Sequence, residues 1–108
     1  MNMASRPHDG AVIEMLREDP AFADEYLAAS LEAIDEPGGR EALLMALRQV
    51  AEAQGMAAVA ERAGMQREGL YRALSPKGNH TLKTLLAILG GAGLRLAVTR
   101  RNDMPHPA

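Results

Sequence analysis

The sequence predicts an all-α domain of about five helices with a short C-terminal strand at residues 94–100. Apolar residues recur at helical spacing between Asp9 and Leu89, and glycines and prolines separate the periodic segments. Leu94 to Arg100 instead alternates apolar with polar or small residues, which is typical of a strand. A chain of 108 residues is long enough for one core, so we expect a single domain over 1–108.

Acidic helices are predicted over residues 8–54. The first covers Asp9 to Arg17, and the second begins after Asp19, a residue type that can cap the free N–H groups of a helix whose first residue is proline. This second helix runs to about Ile34, and its expected buried residues are Ala23, Leu27, Leu31 and Ile34. A third helix runs from about Arg40 to Gln54, with Leu43, Leu47, Val50 and Ala51 on one apolar stripe.

Residues Met56 to Ser75 have the spacing of a helix-turn-helix, which together with the following helix makes up residues 55–91. Ala60 is small enough to sit where two short helices cross, and Gly64 suits a turn position with positive φ. The residues expected to be buried are Val59, Ala63, Met65, Leu70 and Ala73. Those expected to face outward are Arg67, Glu68, Tyr71 and Arg72. An exposed second helix with two arginines is typical of the helix that enters a DNA major groove.

The last helix is predicted to begin at a Thr81 cap and to end near Leu89, where glycines follow. Its expected apolar face consists of Leu82, Leu85, Leu86 and Leu89. The strand at residues 94–100 needs a partner, and the sequence offers no convincing second strand. One alternative is that the segment pairs with the same segment of another subunit, which implies a homodimer. The other is that it is no strand but an extended tail packed on its own core.

The two halves of the chain carry opposite charge. Residues 1–54 hold four arginines against eleven carboxylates, a formal charge of −7, whereas residues 55–108 hold eight basic residues against three acidic ones, or +5. The overall charge of −2 conceals this difference. A basic half that coincides with the helix-turn-helix favours phosphate binding, and the asymmetry indicates two different partners.

Composition and spacing argue against several other functions. His8, His80 and His106 do not have metal-ligand spacing, so we expect no metal site. The chain has no cysteine, no Gly-rich phosphate loop and no serine in a nucleophile elbow, so we expect neither an enzyme nor a cofactor. No apolar segment has membrane-spanning length and no signal peptide is recognisable, so we expect a cytoplasmic protein.

The segment from Gly64 to Asn79 contains Arg-Glu-Gly-Leu-Tyr and Leu-Ser-Pro-x-Gly-Asn, and Gly93 to Leu96 reads Gly-Leu-Arg-Leu. On these residues the chain from about Arg6 to Arg100 resembles the probable addiction-module antidote proteins, HigA-like antitoxins paired with RelE-type toxins. The resemblance implies a lambda-repressor-like helical domain that binds its toxin and represses their shared operon. The chain departs from the family pattern at Gln66, where serine or threonine is usual, and at His80, where proline or a small residue is common.

The resemblance also implies DNA-binding roles. Gln66 and Arg67, at the start of the recognition helix, are placed for base edges, since glutamine pairs with adenine and arginine with guanine. Tyr71 either touches the DNA or is a half-buried packing residue with its hydroxyl in water. The residues expected to hold phosphates are Arg72, Lys77 and Asn79. Glu68 is expected to pair with Arg72 one turn later.

RelE-type toxins are small basic ribonucleases, so the resemblance suggests that the acidic helix covers such a toxin. The predicted toxin-binding residues are Asp24, Glu25 and Glu32, although a carboxylate-rich helix is also typical of a merely solvated surface. The expected partners are therefore double-stranded operator DNA, a RelE-type toxin and a second copy of the chain. The alternatives are a stand-alone Cro-like repressor without a toxin and a pure protein-interaction module. A measurement of DNA affinity distinguishes the interaction module from the DNA-binding alternatives.

Overall fold

A computed structural model describes residues 9–78 and 80–100 of the protein. These residues form six α-helices, which are α1 (Asp9–Glu18), α2 (Pro20–Glu32), α3 (Gly39–Gln54), α4 (Met56–Arg62), α5 (Arg67–Ala73) and α6 (Leu82–Gly91). The all-α prediction is confirmed. The helices number six rather than about five, and one of them is the predicted helix at Asp9 to Arg17, which extends to Glu18.

Residues 94–100 form no strand, and the described part of the chain contains no strand elsewhere. Extended backbone becomes a strand only when another segment pairs with it, and within the described ranges no such segment does. Leu94 packs against the core, but Leu96 is 50% exposed and Val98 fully exposed. The strand is therefore not formed by the single chain, and the tail packs on its own core only at its first residue.

Helix α3 is the centre of the fold, because α1, α2 and α4 all pack against it. Its buried residues are Gly39, Leu44, Ala46, Leu47, Gln49, Val50 and Ala51. Three of the four residues predicted for its apolar stripe are in this set, and Leu43 is partly buried beside them. Gln49 is the polar exception, at 2% exposure.

Helix α2 packs on one side only. It buries Leu27, with Phe22, Ala23 and Tyr26 packed partly against the core. The prediction was wrong for Leu31 and Ile34, which are 49% and 37% exposed, because α2 ends at Glu32 and has no helix on its outer side. Asp19 precedes the helix but makes no side-chain capping bond.

One residue separates α3 from α4. Gly55 has φ 103° and ψ 109°, a conformation that side chains with a Cβ rarely adopt, and it is the cap of both helices. Its N–H donates to the Glu52 carbonyl and its own carbonyl accepts from Val59. The acidic half therefore passes to the basic half without a flexible linker.

The turn between α4 and α5 satisfies the carbonyls at the end of α4. The Met65 N–H donates to the Ala60 carbonyl and the Gly64 N–H to the Glu61 carbonyl, which is the Schellman pattern. Gly64 has φ 74°, as predicted. Val59, Ala60 and Leu70 are buried, whereas Ala63, Met65 and Ala73, which were also predicted to be buried, are only partly so.

Helix α6 begins at the predicted Thr81 cap, whose hydroxyl oxygen accepts from the Thr84 N–H at 3.1 Å. It continues to Gly91 instead of ending at Leu89, and Gly93, at φ 80°, then closes a second Schellman turn. A Cβ on Gly91 would lie 2.6 Å from the Val59 carbonyl oxygen, so this glycine lets α6 cross α4 closely. The predicted apolar face is only partly buried, because Leu82 and Leu86 are 65% and 45% exposed.

Candidate nucleic-acid interface

Helix α5 turns its N-terminal residues and its charged side to solvent. Gln66, Arg67, Glu68 and Arg72 are exposed, while Leu70 on the opposite side is completely buried. Lys77, in the loop that follows, is exposed as well. The structure therefore exposes every predicted DNA-binding residue that it describes except Tyr71, which is half-buried. Asn79 lies outside the described residues.

Gln66 is the N-cap of α5 in extended conformation, with φ −82° and ψ 154°. Its side chain makes no capping hydrogen bond, and glutamine is not among the residues preferred at helix N-caps, which are serine, threonine, aspartate, asparagine and glycine. The exposed carboxamide thus stands beside Arg67 at the free end of the helix, where side chains can reach base edges in a major groove.

Tyr71 agrees with its predicted packing state in burial but differs from it at the hydroxyl. Its ring is half-buried and its hydroxyl donates to Glu52 Oε1 at 3.0 Å, so the hydroxyl is held by α3 rather than by water. The Arg67 guanidinium carbon lies 5.4 Å from the centre of the same ring, within cation–π distance. Burial, followed by the hydrogen bond and charge of Glu52, raises the pKa of Tyr71.

The predicted pair between Glu68 and Arg72 is not formed. Over residues 9–78 and 80–100, the ion pairs join Glu14 to Arg17 and join Arg48 to both Asp9 and Glu52. Both members of the predicted pair are exposed, and holding two long exposed side chains together costs about as much entropy as the attraction returns. The Arg72 guanidinium therefore stays in solvent.

The loop after α5 folds back over the end of that helix. The Ser75 hydroxyl and N–H both donate to the Arg72 carbonyl, and the Gly78 N–H donates to Ser75. A Cβ on Gly78 would lie 2.4 Å from the Arg72 carbonyl oxygen, which explains why the Ser-Pro-x-Gly segment needs glycine at this position. The loop holds Lys77 close to the C-terminal end of α5.

Sequence reasoning missed a polar network behind the site. Arg48 donates to Glu52 and to Asp9, and the Gln49 amide donates to the same Asp9 oxygen at 2.7 Å. The Tyr26 hydroxyl donates to Gln49, so the network ties α1 and α2 to α3. Burial and the charge of Asp9 raise the pKa of Tyr26. A glutamine inside the apolar stripe of α3 was the one signal in the sequence that pointed to it.

An open cleft of about 420 Å³ lies where α1, α3 and α5 meet. Its lining residues are Asp9, Ile13, Arg17, Glu52, Met56, Arg67 and Tyr71. Arg17 belongs to the acidic half of the sequence, yet the fold brings it to the cleft that Arg67 also lines. The cleft beside α5 therefore includes an arginine that charge counting assigned to the other half, together with the carboxylates of Asp9 and Glu52.

The outward side of α2 has a different character. Asp24, Glu25 and Glu32, the predicted toxin-binding residues, are all exposed there. Ala28, Ala29 and Leu31 are exposed between them. The surface is therefore a small apolar strip bordered by carboxylates rather than a uniformly charged face.

Comparison with known proteins identifies the family. The model of the family described as "Probable addiction module antidote protein" matches residues 11–100 of this chain. The chain belongs to that family. An uncharacterized protein of Haemophilus influenzae (strain ATCC 51907 / DSM 11121 / KW20 / Rd) is 36% identical over 76 residues, which is 70% of this chain and 78% of that protein. No solved structure matches the chain significantly.

The antidote family implies a toxin partner of some kind, and the matched range takes in both the α2 surface and α5. In this antidote His80 lies beside α3, where its Nδ1 is 3.0 Å from Arg40 Nη2, while His8 and His106 lie outside the described residues. Among residues 9–78 and 80–100, no group of three or more histidine, aspartate or glutamate side chains is placed to hold a metal ion. Nor does any helix there have the length and apolarity needed to cross a membrane.

Proposed function

We propose that this antidote neutralises a RelE-type toxin by direct binding and represses its own operon by sequence-specific DNA binding through α5. The observation that carries the DNA-binding part is the exposed start of α5, where Gln66 and Arg67 project next to each other with further cations around them. The function is one of binding, with no catalytic step. It takes place in the cytoplasm, where operon and toxin are both found.

The side chains divide into two DNA-binding roles. Gln66 and Arg67 read base edges, because they lie at the end of the helix that enters the groove first. Arg72 and Lys77 bind phosphates and set the register of the helix on the duplex, and we assign Asn79 to the same role. The Tyr71 ring packs against the Arg67 guanidinium. The Tyr71 hydroxyl is not available to a base, because it donates to Glu52.

Two single substitutions test the DNA-binding proposal. Arg67→Ala should weaken operator binding by about 1 to 3 kcal/mol and relax the preference at one base pair, whereas Lys77→Ala should weaken all sequences alike. Affinities for promoter-proximal and random duplexes are measured by mobility shift over a salt series, in which binding should fall steeply as salt rises. Equal losses on both duplexes for Arg67→Ala would remove its base-reading role.

The outward side of α2 is the proposed toxin surface. Its carboxylates suit a basic partner, and its exposed strip of Ala28, Ala29 and Leu31 supplies the apolar centre that stable interfaces need. Leu31 is the large apolar residue of that strip and is half-exposed, so it is the expected anchor. The family supports a toxin partner, and its RelE-type character rests on the resemblance of the sequence.

Charge reversal tests this surface. Glu25→Lys combined with Glu32→Lys should slow association and reduce capture of the protein encoded by the adjacent gene, because like charges then face each other. Glu41→Lys combined with Glu61→Lys adds the same charge on α3 and α4 and should leave capture unchanged. Operator binding by the first variant should survive, since α5 is untouched. Undiminished capture would exclude this side of α2, and no capture by the native protein would favour a stand-alone repressor.

We further propose that the antidote is a two-fold dimer on its operator. One recognition helix covers too few base pairs for useful discrimination, and Leu96 and Val98 are exposed on the single chain. Sedimentation at micromolar concentration should give a dimer for the full chain and for a variant lacking residues 101–108. If removal of 94–108 also leaves a dimer, the tail is not the contact between subunits.

A further inference from the structure

Both oxygens of the Glu52 carboxylate are engaged at the edge of the DNA-binding surface. Oε1 accepts the Tyr71 hydroxyl at 3.0 Å, and Oε2 accepts from Arg48 Nη1 at 2.5 Å. Arg48 is itself held by Asp9 at 3.0 Å, and its side chain is only 19% exposed. Glu52 is therefore fixed by α1 and α3 and cannot follow Tyr71 if α5 moves.

The ring of Tyr71 in turn lies beneath Arg67, with 5.4 Å between the guanidinium carbon and the ring centre. An arginine on a solvent-exposed helix end otherwise samples many rotamers, and ordering it on DNA costs free energy. A side chain already stacked in one direction loses less freedom when it binds. The contact with Tyr71 thus prepares Arg67 for base reading before DNA arrives.

We propose that Glu52, a residue of α3 outside the helix-turn-helix, is a positioning residue for DNA recognition: it fixes Tyr71 by its hydroxyl and, through the Tyr71 ring, orients Arg67. The inference rests on the proposed function of α5 as the DNA-reading helix. This role accounts for a carboxylate, that of Glu52, beside a surface proposed to bind phosphates, where the negative charge by itself would oppose binding.

Charge and positioning predict effects of opposite sign, which makes the proposal testable. A carboxylate that only repels phosphates weakens binding to every duplex, so its removal should strengthen binding to operator and random DNA alike. A carboxylate that orients Arg67 strengthens operator binding specifically, so its removal should weaken operator binding while random DNA binds as well or better. The ratio of the two affinities separates the roles.

The variants are Glu52→Ala, Glu52→Gln and Tyr71→Phe, with Glu61→Ala as the control that removes an exposed carboxylate of α4. We expect Glu52→Ala and Tyr71→Phe each to lower the operator-to-random affinity ratio about three- to fivefold, the range of an exposed cation–π contact. The double variant should be no worse than either single one, because both break the same contact. Glu52→Gln keeps a hydrogen-bonding partner for Tyr71 and should restore most of the ratio, and Glu61→Ala should leave it unchanged.

A second readout does not depend on DNA. In a Tyr26→Phe background Tyr71 is the remaining tyrosine of the chain, so its ionisation can be followed by ultraviolet absorbance. Glu52→Ala should lower the pKa of Tyr71 toward its ordinary value, because the hydrogen bond and the charge that raise it are removed. Thermal melting monitored by circular dichroism establishes that each variant is folded. If Glu52→Ala is not, Tyr71→Phe serves for the affinity ratio and Glu52→Gln, which removes the charge, serves for the ionisation measurement.

The outcomes are distinct. A lowered pKa together with the reduced ratio supports the proposal. A lowered pKa with an unchanged ratio overturns positioning but leaves the DNA-binding function intact, provided that Arg67→Ala still weakens operator binding. An unchanged pKa shows that the contact is absent in solution, and a native protein without operator binding overturns both the proposed function and this inference.

Discussion

The two halves of the molecule fix their helices by different means. In the N-terminal half, buried side chains join α1, α2 and α3, with Gln49 bonded to both Asp9 and Tyr26. In the C-terminal half, backbone approaches backbone, as where Gly91 of α6 lies against the Val59 carbonyl. Side-chain hydrogen bonds thus join α1, α2 and α3, whereas α6 reaches α4 through a glycine, beside which the Arg62 side chain donates to the Gly91 carbonyl at 2.8 Å.

This difference has a consequence for the surfaces. A side-chain network can be extended outward, and Glu52 extends it from Arg48 to Tyr71. Arg67 and Arg72 of α5 are exposed to solvent. We therefore use loss of polar groups to test the packing of α1, α2 and α3, and added volume to test the crossing of α4 and α6.

The largest expected effect comes from adding one methyl group to the C-terminal half. Gly91→Ala would place a Cβ 2.6 Å from the Val59 carbonyl oxygen and 3.1 Å from Ala63 Cβ, so we expect a loss of about 3 kcal/mol in the free energy of unfolding. Gly90→Ala is the matched control, because nothing lies within 4 Å of its Cβ. It should stabilise by about 0.5 to 1 kcal/mol. Urea unfolding compares the two; similar stabilities would contradict the close crossing.

An intermediate effect is expected from the polar network of the N-terminal half. Gln49→Leu removes the acceptor of the Tyr26 hydroxyl and one of the two donors to Asp9 Oδ1, which Arg48 still contacts. Burying the Tyr26 hydroxyl without its acceptor should cost about 2 kcal/mol. In a Tyr26→Phe background the same change should cost less, since the hydroxyl is already gone. Urea unfolding of the four proteins measures the coupling, and strict additivity would show that the two side chains do not interact.

The smallest effects concern the starts of α5 and α6. Thr81 caps α6 through its hydroxyl, so Thr81→Ala should destabilise by about 1 kcal/mol. Gln66 makes no capping bond, so Gln66→Ser should stabilise α5 by about 0.5 kcal/mol while weakening operator binding. Melting temperatures and mobility shifts measure the two effects. If Gln66→Ser left operator binding unaltered, the glutamine would have no part in base reading.

Local signals in the sequence predicted much of this architecture. Gly55, Gly64 and Thr81 act within one turn of their own positions, so their roles follow from the residue and its neighbours. The helical periodicity likewise predicted the existence of the helices and most of the α3 core.

What the sequence could not predict depends on distant parts of the chain. Leu31 and Leu82 continue apolar stripes and are nevertheless exposed, because no other helix covers their sides. The buried state of Gln49 depends on Asp9, 40 residues away, and that of Tyr71 on Glu52, 19 residues away. Arg67 and Arg72 were placed correctly on the outside of α5, but the support beneath Arg67 could be found only in three dimensions.

The single-residue junction at Gly55 determines where this chain can change length. An extra residue in the last turn of α3 would rotate everything after it by about 100° and advance it by about 1.5 Å, separating Tyr71 from Glu52. The exposed stretch at 35–37, between α2 and α3, precedes both Glu52 and Tyr71, so an insertion there leaves the spacing between these two residues along the chain unchanged. A reporter peptide or fluorophore inserted there would leave the register of α5 intact, whereas the same insertion beside Gly55 would not.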